Sequence, residues 1–287
     1  MIETEQAKIS RMLTEHSLPL HGFVHYAALE GRQIHCRGAG RLPAAARTVI
    51  PVLFPYRFPE DGGPARRNLS RYACVPDYHQ TAGRVLSDVA KALEEAFPAN
   101  VFEPFIDNSP LPEVTAAALA GLGVVGDNGL LIHPVYGSYV FIGALVTDWA
   151  MAGGEADEEP APLPRCPGCG RCAEACPAGV LHPGGRGPDD RDRCLSALTQ
   201  KKGELTKEEE RLIRTGGLVW GCDRCQEVCP LNRRAVCAPH PCFGGIYAPI
   251  LTPRELDALQ GKAYGWRGRK VPERNLRLLP PQEGGAD

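Results

Sequence analysis

The sequence predicts an α+β fold in two unequal parts, and three observations carry that reading. Helix-like and strand-like segments mix through residues 1–152. An acidic, Pro/Gly-rich stretch follows, GGEADEEPAPLPR at 153–165, which has little to bury and reads as a linker. Beyond it, eight of the twelve cysteines crowd between Cys166 and Cys229, so 166–250 reads as a cysteine-rich domain and 251–287 as a basic C-terminal tail.

Taken in order, residues 2–16 place Ile2, Ile9, Met12 and Leu13 at helical spacing. TVIPVLFPY, 48–56, is an apolar β-rich run whose two prolines predict an interrupted or edge strand. TAGRVLSDVAKALEEAFP, 81–98, is an amphipathic helix with Val85, Val89, Leu93 and Phe97 recurring every four residues and Pro98 as its stop. NVFEPFID, 100–107, is a short strand. SPLPEVTAAALAGLG, 109–123, opens as a helix with Ser109 as a possible cap and runs out in glycine. SYVFIGALVTD, 138–148, is the strongest strand pattern in the chain. Helices are expected over 191–200, over 206–214 with a capping box from Thr206 to Glu209, and over 252–259.

The chain of 287 residues can bury a sizeable core, and its 43% hydrophobic and 23% charged content is that of a globular protein. No apolar run approaches the roughly 20 residues of a membrane span, and MIETEQAKISRMLTEH lacks the apolar centre of a signal peptide. A cytoplasmic protein with no membrane partner is therefore expected, and in a reducing compartment clustered cysteines are metal ligands before they are disulfides. The net charge of −2 divides into −7 over residues 1–160 and +5 over 161–287. Its basic peak, KAYGWRGRKVPERNLR at 262–277, could meet phosphates or could be a solvated terminal segment.

CPGCGRCAEACP supplies Cys166, Cys169, Cys172 and Cys176 followed by Pro177, the C-x2-C-x2-C-x3-C-P run of a 4Fe–4S cluster. Zinc sites also use C-x2-C pairs but seldom this third and fourth spacing. A second run is one ligand short: Cys222, Cys225, Cys229 and Pro230 stand in register, but Val219 occupies the first position. Two clusters need eight thiolates, and Cys194 between the runs is the candidate for the eighth. In two-cluster proteins the fourth cysteine of each run crosses to the other cluster. Cluster one is then expected on Cys166, Cys169, Cys172 and Cys229, and cluster two on Cys176, Cys194, Cys222 and Cys225. Cys36, Cys74, Cys237 and Cys242 read as ordinary thiols. Two adjacent clusters make an electron wire, whose end should lie in the first 150 or so residues.

Two motifs there are lookalikes. GLGVVG, Gly121 to Gly126, matches G-x-G-x-x-G but follows a helix and precedes a strand, the reverse of a dinucleotide site. DYHQTAG, Asp77 to Gly83, is one residue too long for the D-x-H-x-x-G motif in which histidine ligates cobalt. Asp107, before Ser109 and Pro110, could equally make an Asx turn.

RYACVPDYHQTAGRVLSDVAKAL, FIDNSPLPE, AGLGVVGDNGLLI, GSYVFIGALVTD and the two cysteine runs, in this order, resemble the epoxyqueuosine reductase family over about residues 45 to 280. The resemblance implies a nitroreductase-like cobalamin-binding domain followed by a bacterial ferredoxin-like double-cluster domain. It implies reduction of the epoxide of epoxyqueuosine in tRNA, with tRNA as partner and a low-potential electron donor such as ferredoxin or flavodoxin. It places Asp107 as the proton-donating acid, and Asp77, Tyr78, His79 and Gly126 against the cofactor. The chain departs from the family's pattern after Glu113, where the family carries a basic residue and a longer polar stretch and this chain runs apolar VTAAALAGLG, in Gly126-Asp127-Asn128-Gly129 where the family runs Gly-Lys, and in stopping where a helical-repeat domain would begin, as a short form. These departures bear on substrate contact in this reading and leave the wire untouched. Two further readings are a cobalamin and iron–sulfur reductase of a different small-molecule or corrinoid substrate, and a non-catalytic two-cluster electron-transfer protein.

Overall fold

The computed structural model describes residues 3–59, 67–107, 109–152, 162–182, 184–185 and 190–280. Its centre is an antiparallel four-stranded sheet in the order β1 (Val24–His25), β2 (Thr48–Pro55), β6 (Val140–Thr147), β3 (Phe102–Ile106). A second, two-stranded ribbon pairs β4 (Val124–Val125) with β5 (Leu131–Ile132). Helices α1 (Glu5–Glu15) and α2 (Tyr78–Ala96) cover one face of the large sheet, and α3 (Glu113–Leu119) covers the other.

Because both faces are covered, β2 is buried along its whole length. Ile50, Val52 and Phe54 meet Ile9, Leu13, Leu86 and Leu93 on one side, while Val49 and Leu53 meet the α3 side. This corrects the expectation of an edge strand. Both prolines fit because they sit at alternate positions whose backbone groups face away from β6. Leu53 N–H donates to Leu20 O, Gly22 N–H to Pro51 O and His240 N–H to Pro55 O, so the missing donors of Pro51 and Pro55 lie on that side and the β2–β6 ladder is complete from Thr48↔Thr147 to Pro55↔Val140. Gly143 of β6 has no room for a side chain, since a Cβ there would stand 2.5 Å from Leu86 of α2.

Of the expected linker, 153–161 lies outside the described residues. Residues 162–165 are tied down: Val125 N–H donates to Pro164 O, and Cys166 N–H returns to Val125 O. Among the described residues the cysteine-rich region then has four short helices: α4 (Arg171–Glu174), α5 (Leu195–Leu198), α6 (Lys207–Gly216) and α7 (Arg224–Glu227). The Thr206/Glu209 capping box of α6 forms as the sequence predicts. The helix expected over 252–259 is a 3-10 turn, Pro253–Asp257.

The basic stretch 262–277 is not a solvated tail. Within it α8 (Lys270–Leu278) turns Val271 inward, and Tyr264 and Ala263 are buried in a core with Trp220, Leu69, Cys74 and Leu256. Buried Asn275 donates to Thr199 O (2.6 Å) and Val219 O (2.9 Å). Residues 68–77 thread between the parts. Leu69 pairs with Trp220, Pro76 pairs with Lys262, and Asp77 N–H donates to Gly261 O at 2.9 Å. Among the described residues, no helix is long and apolar enough to cross a membrane.

Candidate active site

Helix α2 begins three residues earlier than its periodicity predicts because Asp77 caps it. Asp77 Oδ1 accepts from the His79 main-chain N–H (3.1 Å) and faces His79 Nδ1 at 2.7 Å. In the first turn, the Tyr78 ring stacks on Phe141 of β6, centroids 4.1 Å apart and nearly parallel. Tyr78 and His79 both point at one atom. Asp107 Oδ2 accepts from Tyr78 Oη at 2.6 Å and lies 3.0 Å from His79 Nε2. Asp107 closes β3 in the left-handed region, φ +48°, a conformation that aspartate tolerates better than most residues.

His79 is thus clamped between two carboxylates. Burial disfavours its charge, but hydrogen bonds to Asp107 and Asp77 outweigh burial and push its pKa up to about 9. Both ring nitrogens face carboxylate oxygens, and only the imidazolium donates from both. Burial, with the charge of Asp107 added, pushes the Tyr78 phenol far up, so it stays a donor.

A third carboxyl was not singled out from the sequence. Glu113, first residue of α3, is pushed up to about 8, chiefly by burial and then by the charge of Asp107. It accepts from Ser109 and from the Asp107 main chain, while its Oε1 is buried without a partner. Ser109 is not the helix cap. Its Oγ accepts from Leu111 N–H, and the helix starts after Pro112.

These groups line a cavity of about 1440 Å³, larger than the roughly 300–1,000 Å³ of ordinary small-molecule pockets. Asp77, Tyr78, His79, Asp107 and Glu113 line it together with Arg191, Arg193, Cys194, Ser196, Trp266 and Arg267. Trp266 is 59% exposed, with the Arg267 guanidinium 3.7 Å from its ring centroid.

Gly126 does not line this cavity. It sits in the turn joining β4 to β5, where a Cβ would meet Asn128 and Ile132. The neighbouring Asp127 is buried beside Gly168 of the first cysteine run, and its charge is felt at Cys172. The Asp127 departure therefore bears on the cysteine region and not on the cavity, contrary to the sequence expectation.

Several of the assigned cysteines lie near one another, although among the described residues no three or more His, Cys, Asp or Glu side chains stand in ligating geometry. Burial raises the Cys222 thiol to about 11, with Asp223 next and then Cys194 and Cys176 among the groups that add to it; Cys172 likewise feels Cys166. None of the twelve cysteines forms a disulfide, and α4 of the first run packs against α7 of the second. Gly221, at φ +78°, lets the chain turn from Trp220 into Cys222 where a side chain would strike Ser70 and Tyr72. Between Cys222 and Cys225, Asp223 is buried on Arg67 (2.6 Å) and the Arg71 main-chain N–H (2.9 Å), tying residues 67–71 to the second run. Thiolates at the spacings of these two runs, on short loops, suit iron–sulfur cubes.

Fold and cysteines define a double-cluster iron–sulfur protein. The family described as "4Fe-4S double cluster binding domain" matches residues 165–232, and that described as "Epoxyqueuosine reductase QueG, DUF1730" matches residues 39–108. The chain is 33% identical over 249 residues to an epoxyqueuosine reductase of Lactococcus garvieae, covering 80% of this chain and 68% of that protein. It is 32% identical to the Bacillus cereus epoxyqueuosine reductase, covering 81% of this chain and 63% of that protein, and 36% identical to the Synechocystis one, covering 66% and 64%. The structure of the epoxyqueuosine reductase from Streptococcus thermophilus superposes with a TM-score of 0.71 at 26% identity, covering 96% of this chain and 80% of that one. The chain belongs to the epoxyqueuosine reductase family. Its matches span about two thirds of the length of these curated relatives.

Proposed function

We propose that this protein reduces the epoxide of epoxyqueuosine in tRNA to the alkene of queuosine. One observation carries the reading: a single cavity brings Asp107, gripped by Tyr78 and His79, into the same space as Cys194. Opening the epoxide to an alkene takes two electrons and two protons and releases water. The clusters, on the eight cysteines assigned above, bring electrons one at a time to the cavity wall. Protons come from the His79 and Asp107 pair that lines the same cavity. His79 holds one on Nε2, next to Asp107 Oδ2, so the carboxylate can pass it to the departing oxygen and be reloaded.

Cobalamin fits the cavity on two counts. The space is large enough for a macrocycle together with a substrate, and the unpartnered Glu113 Oε1 can accept from an amide of the corrin rim. Asp77, Tyr78, His79 and Glu113 would hold it, and when bound it supplies a low-valent metal centre for cleaving carbon–oxygen bonds. Relatives support the substrate: one solved structure is an epoxyqueuosine reductase with a tRNA-Tyr epoxyqueuosine-modified tRNA stem loop. The Bacillus subtilis enzyme is described with its catalytic aspartate loop swung out of the active site, the behaviour expected of a turn like that at Asp107. The electron donor is a low-potential carrier such as ferredoxin or flavodoxin, and clustered cysteines used as cluster ligands are in keeping with a reducing, cytoplasmic setting. The test is single-turnover reduction of an epoxyqueuosine-containing stem loop. Asp107→Asn is expected to lower the rate by about 10²–10⁴-fold while cobalamin and iron contents stay at wild-type levels. Full activity in that variant would remove Asp107 from the reaction.

A further inference from the structure

We infer that an acidic, low-potential electron-carrier protein docks on the face formed by Cys169, Val135 and the turn from Leu231 to Val236. The inference rests on the two-cluster reading. Cys194 lines the reaction cavity, so cluster two is the inner stop of the wire and cluster one the outer. Of the four cysteines assigned to cluster one, Cys169 is exposed, whereas Cys166, Cys172 and Cys229 are partly covered. Electrons from outside reach the cavity most directly through that opening.

The surface that follows Cys229 in the chain has the make-up of a transient redox interface. Leu231, two residues after Cys229, is 41% exposed; Val236 and Val135 are 44% and 45% exposed and are linked by Val236 N–H donating to Val135 O at 2.9 Å. Clustered exposed aliphatics mark interaction sites. Cations flank them. Arg171 and Arg233 line a shallow depression of about 500 Å³ with Glu174 and Glu227, and Arg234 is next in sequence. Among the described residues, Arg171, Arg233 and Arg234 have no carboxylate within ion-pair distance, whereas Glu227 is already taken by Arg67 and Arg71. With Glu174 set against Arg171, Arg233 and Arg234, the face still carries a net positive charge around an apolar centre. Such charge steers a negatively charged partner and lets it leave again, as a small, short-lived redox contact requires. Each encounter moves one electron: the carrier is oxidised by one, cluster one is reduced by one, and two encounters supply one epoxide reduction.

The experiment uses the full chain with its clusters, anaerobically, and a reduced acidic ferredoxin as probe. Stopped-flow absorbance follows ferredoxin oxidation by the wild type, by Arg233→Glu/Arg234→Glu and by Leu231→Ser, with dithionite as the small reductant. The charge reversal is expected to slow electron transfer from ferredoxin about tenfold or more at low salt and to flatten its salt dependence. Leu231→Ser is expected to slow transfer with the salt dependence kept. Iron content and reduction by dithionite should stay at wild-type values in both. Wild-type ferredoxin rates in the two variants, with iron intact, would overturn the docking face. Iron content in the wild type short of two clusters would overturn the two-cluster reading itself, and the inference with it.

Discussion

Glu113→Gln is the sharpest probe of the cavity, because the native fold holds this carboxyl against its preference for charge. Its pKa rises from the ordinary 4.5 to about 8, through burial first and the Asp107 charge second. At 1.36 kcal/mol per unit, that difference is on the order of 5 kcal/mol between the two protonation states. The sign follows from linkage: the folded pKa is raised, so the proton binds more tightly in the native state. Below pH 4.5 both states are protonated and there is no penalty. As pH rises from 4.5 through about 8, the unfolded chain ionises freely while the folded one resists, and stability falls. Above pH 8 the loss is complete. Glutamine keeps the shape and the hydrogen-bonding capacity but cannot ionise. The variant should therefore match the wild type near pH 4.5 and exceed it by up to about 5 kcal/mol at pH 9. The assay is the urea midpoint by tryptophan fluorescence at several pH values, together with the infrared band of a protonated carboxyl, which should titrate near pH 8 and vanish in the variant. Wild-type and variant stabilities running parallel from pH 5 to 9 would refute the reasoning.

Three further outcomes follow from the geometry. Cys194→Ser should lower the iron from about eight to about four per chain, because it removes one ligand of cluster two alone; eight irons in the variant would mean that another residue completes the set. Arg67→Ala should destabilise by about 3–5 kcal/mol in chemical denaturation, because it removes the guanidinium that hydrogen-bonds buried Asp223 at 2.6 Å and leaves only the Arg71 charge nearby; a change under 1 kcal/mol would show that the pair is solvated in practice. Trp266→Ala should weaken binding of a tRNA anticodon stem loop by about 1–3 kcal/mol if a base stacks on the exposed ring, with iron content unchanged. Unaltered binding would assign Trp266 to covering its own arginine.

What the sequence made legible is what short-range chemistry dictates. The cysteine runs are readable because cluster ligands obey fixed spacings, and β6 and α2 because their apolar periodicities are strong. Errors arose where distant contacts decided. The prolines of β2 argue for an edge until one knows that His21 and His240 lie on the side they face. The charges of 262–277 hide Tyr264 and Val271, whose burial depends on Trp220 and Leu69, some 40 to 200 positions away. Glu113 looks like an ordinary first-turn helix acid; its altered character comes from Asp107, Ser109 and burial against the cavity wall. Gly126 belongs to a glycine turn that any reader would notice, but only the β4–β5 ribbon and its contact with Pro164 and Cys166 place that turn among the cysteines.

The bond from Asp77 N–H to Gly261 O has a consequence for how the molecule is made. Residue 77 leaves the ribosome early and residue 261 late, so the cap that aims His79 must wait for most of the chain. Partner segments so far apart in sequence fold slowly. A nascent chain can complete its helices and its sheet long before it owns a finished reaction chamber. The finished chamber is therefore among the last parts of the fold to be completed.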